Sequence, residues 1–265
     1  MGASTSRAKC RYYRAMPRFE MIGFDADDTL WHNERHYVEA QSSFRKLLVR
    51  YCAPDLIDDE LHRTEMRNLD QYGYGIKGYA LSMIETAIQL SEGKVSGEDV
   101  RNIINIARDL LEANVELLDH AAETIPLLAS SYPLMLITKG DLRDQESKIM
   151  RSGLAKYFRQ IEILSNKRNE NYRTLLTRHQ IRPDSFLMVG NSLRSDIWPV
   201  LEIGASAVYV PHHFTWVHEV AELPPLHHPG FHSIEHLGLL PRLLQQLDGH
   251  VEPLASTRIG FDGSG

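Results

Sequence analysis

Short apolar runs and amphipathic stripes divide the 265 residues into two unlike stretches. The first run, residues 19–25, is apolar and ends abruptly in acids, which reads as a buried strand. From about Asn33 to Asp119 the pattern becomes almost wholly helical. Tyr37, Ala40, Phe44, Leu48 and Tyr51 recur at three- and four-residue spacing and line one helix face. Ala80, Leu81, Ile84, Ala87 and Ile88 repeat the stripe, as do Val100, Ile103, Ile104, Ala107, Leu110 and Leu111. Ser96 is placed to cap this last helix, with Glu98 and Asp99 in its first turn.

Beyond Asp119 the rhythm changes. Apolar runs at 133–138, 160–164, 185–189 and 206–210 alternate with helical patterns near 142–152, 171–178 and 196–203. Strands alternating with helices predict βαβ units, an α/β fold with a doubly wound parallel sheet covered on both faces. Its core is expected over 19–32 and 120–248, with an all-helical insertion over 33–119. Such sheets bind ligands at the carboxyl ends of their strands, so the residues that end the strands carry the functional question.

Hydrophobic residues at 43% and charged residues at 24% match a globular chain and exclude a fibrous or mostly disordered one. No run of eighteen apolar residues offers a membrane span, so no membrane partner is expected. Cys10 and Cys52 form neither a disulfide framework nor a CxxC pair, and a reducing, cytoplasmic setting is expected. The net charge of −6 hides an asymmetry. No acid precedes Glu20, yet Arg7, Lys9, Arg11, Arg14 and Arg18 all do. Without those five, 24 cations face 35 acids, and the body carries −11. So acidic a body argues against nucleic acid as a partner. Residues 1–18 read as a disordered basic tail and 249–265 as a flexible one. Met1-Gly2 with Ser6 fits a loose myristoylation pattern and the arginines fit a transit peptide, but an untargeted extension is the expectation for motifs this short.

The first strand ends Asp25-Ala26-Asp27-Asp28-Thr29, and three acids in four residues are costly together unless a cation or a reaction needs them. A calcium loop fails, because Leu30 stands where the turn needs glycine. The second strand ends Thr138-Lys139-Gly140, a hydroxyl and a permissive backbone suited to an anionic oxygen. Lys167 follows the third, and Gly190-Asn191-Ser192-Leu193-Arg194-Ser195-Asp196 follows the fourth. Taken singly these are a solvated turn, a cap, a surface lysine and an N-cap. A parallel sheet brings all four to one edge, as acid cluster, hydroxyl, cation and acid.

With these residues in place the chain resembles the haloacid dehalogenase superfamily of phosphohydrolases over roughly residues 19–245. The family's DxDx[TV] motif matches Asp25 to Thr29, its Thr or Ser at a strand end matches Thr138, and its lysine matches Lys167. Its acidic fourth loop matches Gly190 to Asp196. The helical block sits where the family inserts its first type of cap. One departure is Asn191, where the family usually has a magnesium-binding Asp; an amide oxygen still coordinates magnesium but supplies no charge.

The resemblance implies a magnesium-dependent phosphomonoesterase acting on a small soluble phosphate ester. Asp25 would attack phosphorus to give an aspartyl-phosphate, and Asp27 would serve as acid and then base. Mg2+ would be held by Asp25, the Asp27 backbone carbonyl and the Asn191–Asp196 loop. Asp196 would either coordinate the ion, directly or through water, or position Lys167. Thr138, Lys139 and Lys167 would bind the phosphate. The acid at Asp27 favours phosphoryl transfer over halide displacement, which needs no acid. A phosphosugar mutase of the same fold and a catalytically weak phosphate-binding protein remain as alternatives.

Two further patterns are weighed. Gly73 to Gly78 spells GxGxxG, but a polar helical stretch precedes it rather than a strand, so it reads as a cap segment. If the cap closes on the site, Tyr72, Tyr74 and Lys77 are candidate substrate contacts. Seven of the thirteen histidines lie between His212 and His236. Prolines interrupt them, so a solvated loop is expected there rather than a histidine metal site.

Overall fold

A computed structural model describes residues 18–214 and 216–249. The tails expected over 1–18 and 249–265 lie outside the described residues, Arg18 and Gly249 apart. Side-chain alternation along the strands decides the layers. In β1 (Met21–Phe24), Ile22 and Phe24 enter one apolar cluster and Met21 enters another. The same division runs through β2 (Leu134–Lys139), β4 (Phe186–Gly190) and β5 (Ser206–Tyr209). Leu134, Leu136, Leu187, Val189 and Val208 share the first cluster with α5 (Ala121–Ala129) and α9 (Leu240–Leu247). Met135, Ile137, Phe186, Met188 and Ala207 share the second with α7 (Asn169–Arg178) and α8 (Trp198–Leu201). Each large side chain sealed this way contributes about 1.5–3 kcal/mol.

All strand pairings are parallel, in the order β3-β2-β1-β4-β5-β6, with β3 at Gln160–Leu164 and β6 at Phe231–Ser233. The strand β6 escapes the sequence pattern because three residues, Phe231 to Ser233, following a Pro-Gly turn are too short to alternate visibly. α6 (Leu142–Arg151) links β2 to β3.

The insertion contains α1 (Glu34–Leu48), α2 (Pro54–Tyr72), α3 (Ile76–Leu90) and α4 (Gly97–Glu112). They pack around their own core of Phe44, Leu48, Ile57, Leu61, Met83 and Ile103. α4 begins with a reciprocal box: Asp99 N donates to Ser96 Oγ at 3.1 Å and Ser96 N to Asp99 Oδ2 at 3.0 Å. Residues 114–118 return extended to the core, where Leu118 N donates to Leu30 O at 2.9 Å. The GxGxxG letters span the turn joining α2 to α3 and the first turn of α3, and a helix rather than a strand precedes them. Gly75 sits at φ +123°, and a Cβ there would meet Asp141 N at 2.7 Å; cap and core touch too closely at this turn for a side chain.

The helix expected over 196–203 differs in its first half. Leu193–Ile197 winds as a single π-helical turn, and the α-helix begins only at Trp198. Ile197 N reaches back five residues to Ser192 O at 3.2 Å, and Pro199 has no N–H to continue an ordinary first turn.

Candidate active site

β1 and β4 lie side by side, with Asp25 N donating to Val189 O at 2.9 Å, so their ends open onto one rim. A cavity of about 180 Å3 between rim and cap is lined by Asp25, Asp27, Thr138, Lys139, Lys167, Asn191 and Asp196. At its floor Lys167, 2% exposed, sends Nζ to Asp25 Oδ1 and, at 2.8 Å, to Asp196 Oδ1. Thr29 Oγ1 donates to Asp25 Oδ2 at 2.8 Å. Burial pushes the Asp25 carboxyl up to about 7 against the pull of the Lys167 ammonium, with Asp196 adding to the rise. Burial alone would lower Lys167, yet the charges of Asp196 and Asp25 hold it well above the ordinary lysine range. The ammonium persists and fixes one Asp25 oxygen, leaving the carboxylate aimed at the cavity.

Asp196 is 1% exposed and has both oxygens engaged, one by Lys167 and the other by Ser192 N at 3.0 Å. That is the geometry of a residue that positions Lys167 and the loop, the second of the two roles open to it from sequence. The tuck depends on Gly190, where a Cβ would sit 2.3 Å from Asp196 Oδ2.

Asn191 stands beside Thr29, whose hydroxyl accepts from Asn191 N at 3.1 Å and lies 3.2 Å from Asn191 Oδ1. One hydroxyl proton cannot serve two acceptors, and Asp25 is nearer. The amide oxygen of Asn191 is therefore left facing the cavity beside Asp25. Carboxylate and amide oxygens without nitrogen or sulfur suit a hard cation such as Mg2+.

Asp27 is held by three side chains: Lys148 Nζ at 2.8 and 2.9 Å, Gln145 Nε2 at 2.8 Å, and Trp31 Nε1 at 2.7 Å. Burial would raise its carboxyl, but the Lys148 charge and these donors outweigh burial and hold it below the usual range. Asp28, pushed up to about 7 by burial, takes the amides of Asn33 at 2.9 Å and Glu34 at 3.0 Å, and so starts α1.

Of the three cap candidates only Tyr74 lines the cavity. Tyr72 ends α2, is 43% exposed, and donates to Glu85 Oε1 at 3.0 Å within the cap. Lys77 pairs outside the cavity with Asp141 at 3.4 Å. The positive-φ glycines between these residues turn Tyr74 inward, a direction that composition does not carry.

Lys139 Nζ turns to Glu219 and to Ser195 Oγ at 2.8 Å, and lies 4.1 Å from the Tyr74 ring centroid. Glu219 also accepts from Ser195 Oγ at 2.6 Å and from Ser192 Oγ. Trp216 and His218 pack against Tyr74, so the segment after β5 joins cap to core. The histidines of this region are spread out: His212 lies against His32, His236 stacks on His120. Among the described residues no three His, Cys, Asp or Glu side chains converge as metal ligands there.

Glu219 would be raised by burial, but Lys139 and the two serines bring it down to about 2. A carboxyl lowered from 4.5 contributes stability above its unfolded value and loses it as pH falls toward 2. Glu219→Gln is therefore expected to lower stability at pH 7 by about 3 kcal/mol and to flatten the acid limb between pH 4.5 and 2. Urea unfolding across that range checks it; an unchanged acid limb would contradict the pairing.

The profile of the haloacid dehalogenase-like hydrolases matches residues 19–204. The chain belongs to the haloacid dehalogenase-like hydrolase family. A haloacid dehalogenase-like family hydrolase from Xanthomonas campestris is 36% identical, with TM-score 0.79 over 88% of this chain and 93% of that one. N-acylneuraminate-9-phosphatase of Mus musculus is 27% identical over 177 residues, 63% of this chain and 68% of the mouse protein. A magnesium-bound HAD hydrolase of Bacillus subtilis shares the fold, with TM-score 0.59 at 20% identity over 86% of this chain and 99% of that one. This haloacid dehalogenase-like hydrolase adds residues that its sequence motifs do not flag. Gln145 and Lys148 resemble surface positions of an amphipathic helix; their i, i+3 spacing puts them on one face, and only the fold shows that this face meets Asp27. Glu219 is hidden among the histidines.

Proposed function

We propose that this hydrolase is a magnesium-dependent phosphomonoesterase that cleaves a small soluble phosphate ester through an aspartyl-phosphate at Asp25. The observation that carries this reading is the Asp25–Lys167–Asp196 array at the floor of a cap-covered cavity. Lys167 on one oxygen and the Thr29 hydroxyl on the other hold the Asp25 carboxyl at the cavity floor, where it would meet phosphorus. The mouse relative is by its name a phosphatase, which supports the same chemistry. A cap over the site suits a small ester, because a macromolecule would obstruct it. Among the described residues Cys52 is a free thiol, which fits a reducing compartment such as the cytoplasm.

Asp25 attacks phosphorus and the bond to the leaving oxygen breaks. Asp27 gives that oxygen a proton, then takes one from the water that attacks the acyl-phosphate. The Lys148 charge and the Gln145 and Trp31 donors favour the Asp27 carboxylate, the form the second step needs. For the first step the Lys148 pair must loosen as the negative phosphate enters. Thr138 lines the cavity and would bind the transferring oxygens, and Lys167 would supply the positive charge. Mg2+ would be held by Asp25, the Asp27 carbonyl and Asn191, and when bound offsets repulsion between carboxylate and phosphate.

Hydrolysis of p-nitrophenyl phosphate against Mg2+ concentration tests both activity and metal. Wild type is expected to turn over only with the ion. Asn191→Asp, by adding a charge, should lower the Mg2+ concentration for half activity by about tenfold. Metal-independent turnover, or an unchanged midpoint in the variant, would overturn the assignment.

A further inference from the structure

On its cap side the cavity is lined by Glu34 and Tyr37 of α1, Glu65 of α2 and Tyr79 of α3. The charge balance there is one-sided. All three cavity lysines are committed: Lys167 to Asp25 and Asp196, Lys148 to Asp27 and Asp144, Lys139 to Glu219. Among the described residues neither Glu34 nor Glu65 has a cationic side chain within ion-pair distance. Burial, then Asp28 and Glu65, push Glu34 up to about 8, and burial alone pushes Glu65 up to about 7. Both are half-buried carboxyls without a counter-charge among the described residues, an arrangement that costs stability unless a ligand answers it.

Two further observations point to the same ligand. The Tyr37 and Tyr79 rings meet edge to face with centroids 5.2 Å apart. Both phenols feel the charges of Glu34 and Glu65, so rings and acids share one neighbourhood. From the core side Gln145, 2% exposed, lines the cavity with a buried Oε1 that has no hydrogen-bond partner. Unpaired acids, aromatic faces and an unmet acceptor are all complementary to a cation bearing N–H donors.

We infer that the site takes phosphate esters whose leaving alcohol carries a protonated amine, seated on the cap side between Glu34, Glu65 and the Tyr37–Tyr79 pair. The chemistry at phosphorus rests on the phosphatase reading; the amine preference is a property of binding. An ammonium on the leaving group would draw both acids into their charged form, whereas a carboxylate there would find no free lysine among the described residues to pair with it.

Titration calorimetry on the Asp25→Asn protein with Mg2+ present separates binding from turnover. The probes are O-phosphoethanolamine, sn-glycerol 3-phosphate and 3-phosphoglycerate, which are cationic, neutral and anionic beyond the phosphate. The expected dissociation constants rise in that order, with about thirtyfold between the first and last. In the background of Glu34→Gln with Glu65→Gln the spread should fall to about threefold. Equal affinities, or tighter binding of the anionic ester, would overturn the inference whatever the turnover. Wild-type hydrolysis of the same three esters reads the phosphatase function separately. If none is hydrolysed while the affinity order holds, the function fails and the amine site stands.

Discussion

The Asp25→Asn protein is expected to hydrolyse aryl phosphates about 10^4-fold more slowly than wild type while keeping its fold. The amide oxygen is a poor nucleophile toward phosphorus, and no neighbouring carboxylate can replace it. Asp196 is locked by Lys167 and Ser192 N, and Asp27 by three donors. The fold survives because Asn has nearly the same volume and can accept from Thr29 as Asp25 does. Lys167 keeps Asp196 as its partner at 2.8 Å. Steady-state kinetics and a thermal melt make the measurement. Activity within tenfold of wild type, from a folded protein, would mean another group attacks.

Lys167→Met has the second large effect, and it falls on stability and activity together. The ammonium is the counter-charge for two buried carboxylates, Asp25 and Asp196. Removing one partner from a buried ion cluster costs about 3–5 kcal/mol. Asp25, already raised to about 7 by burial, would rise further and be protonated at neutral pH, unable to attack. The sign of the pH dependence follows. A carboxyl raised above its unfolded value binds more protons in the native state, so its stability is greatest in acid and is lost as pH rises. The variant should therefore be nearest wild type at pH 5 and furthest from it at pH 8, with turnover reduced about 10^3-fold at neutral pH. Urea unfolding at the two pH values checks this. An equal stability loss at both would show that Lys167 serves packing alone.

The strand ends were legible because each is punctuated by a residue with no business in an apolar run: an acid cluster, a threonine, a lysine, a glycine. Parallel pairing then leaves them one edge to share, and Lys167 reaches Asp25 across 142 residues. The cap helices were legible from their stripes, and Ser96 with Asp99 gave the start of α4 as a local rule. What the pattern left out depends on direction. Tyr72 and Tyr74 are two residues apart, yet the glycines between α2 and α3 turn one outward and the other into the cavity. The π-turn that aims Asp196 at Lys167 arises from a five-residue hydrogen bond, which no side-chain period records. Lys148 and Gln145 are indistinguishable in sequence from exposed positions until Asp27 is placed opposite them. Glu34 and Glu65 likewise look like solvated helix acids, and become informative only when the cavity shows that no lysine is left for them.

A two-step transfer through Asp25 leaves its mark in the stereochemical course at phosphorus. Each in-line displacement inverts the phosphorus centre, so attack by Asp25 followed by attack of water returns it to its starting configuration. With a phosphorothioate ester made chiral at phosphorus by two oxygen isotopes and hydrolysed in water of the third, transfer through Asp25 predicts net retention in the chiral thiophosphate that wild type releases with Mg2+. Net inversion would mean that water attacks the ester in one step, and would contradict it.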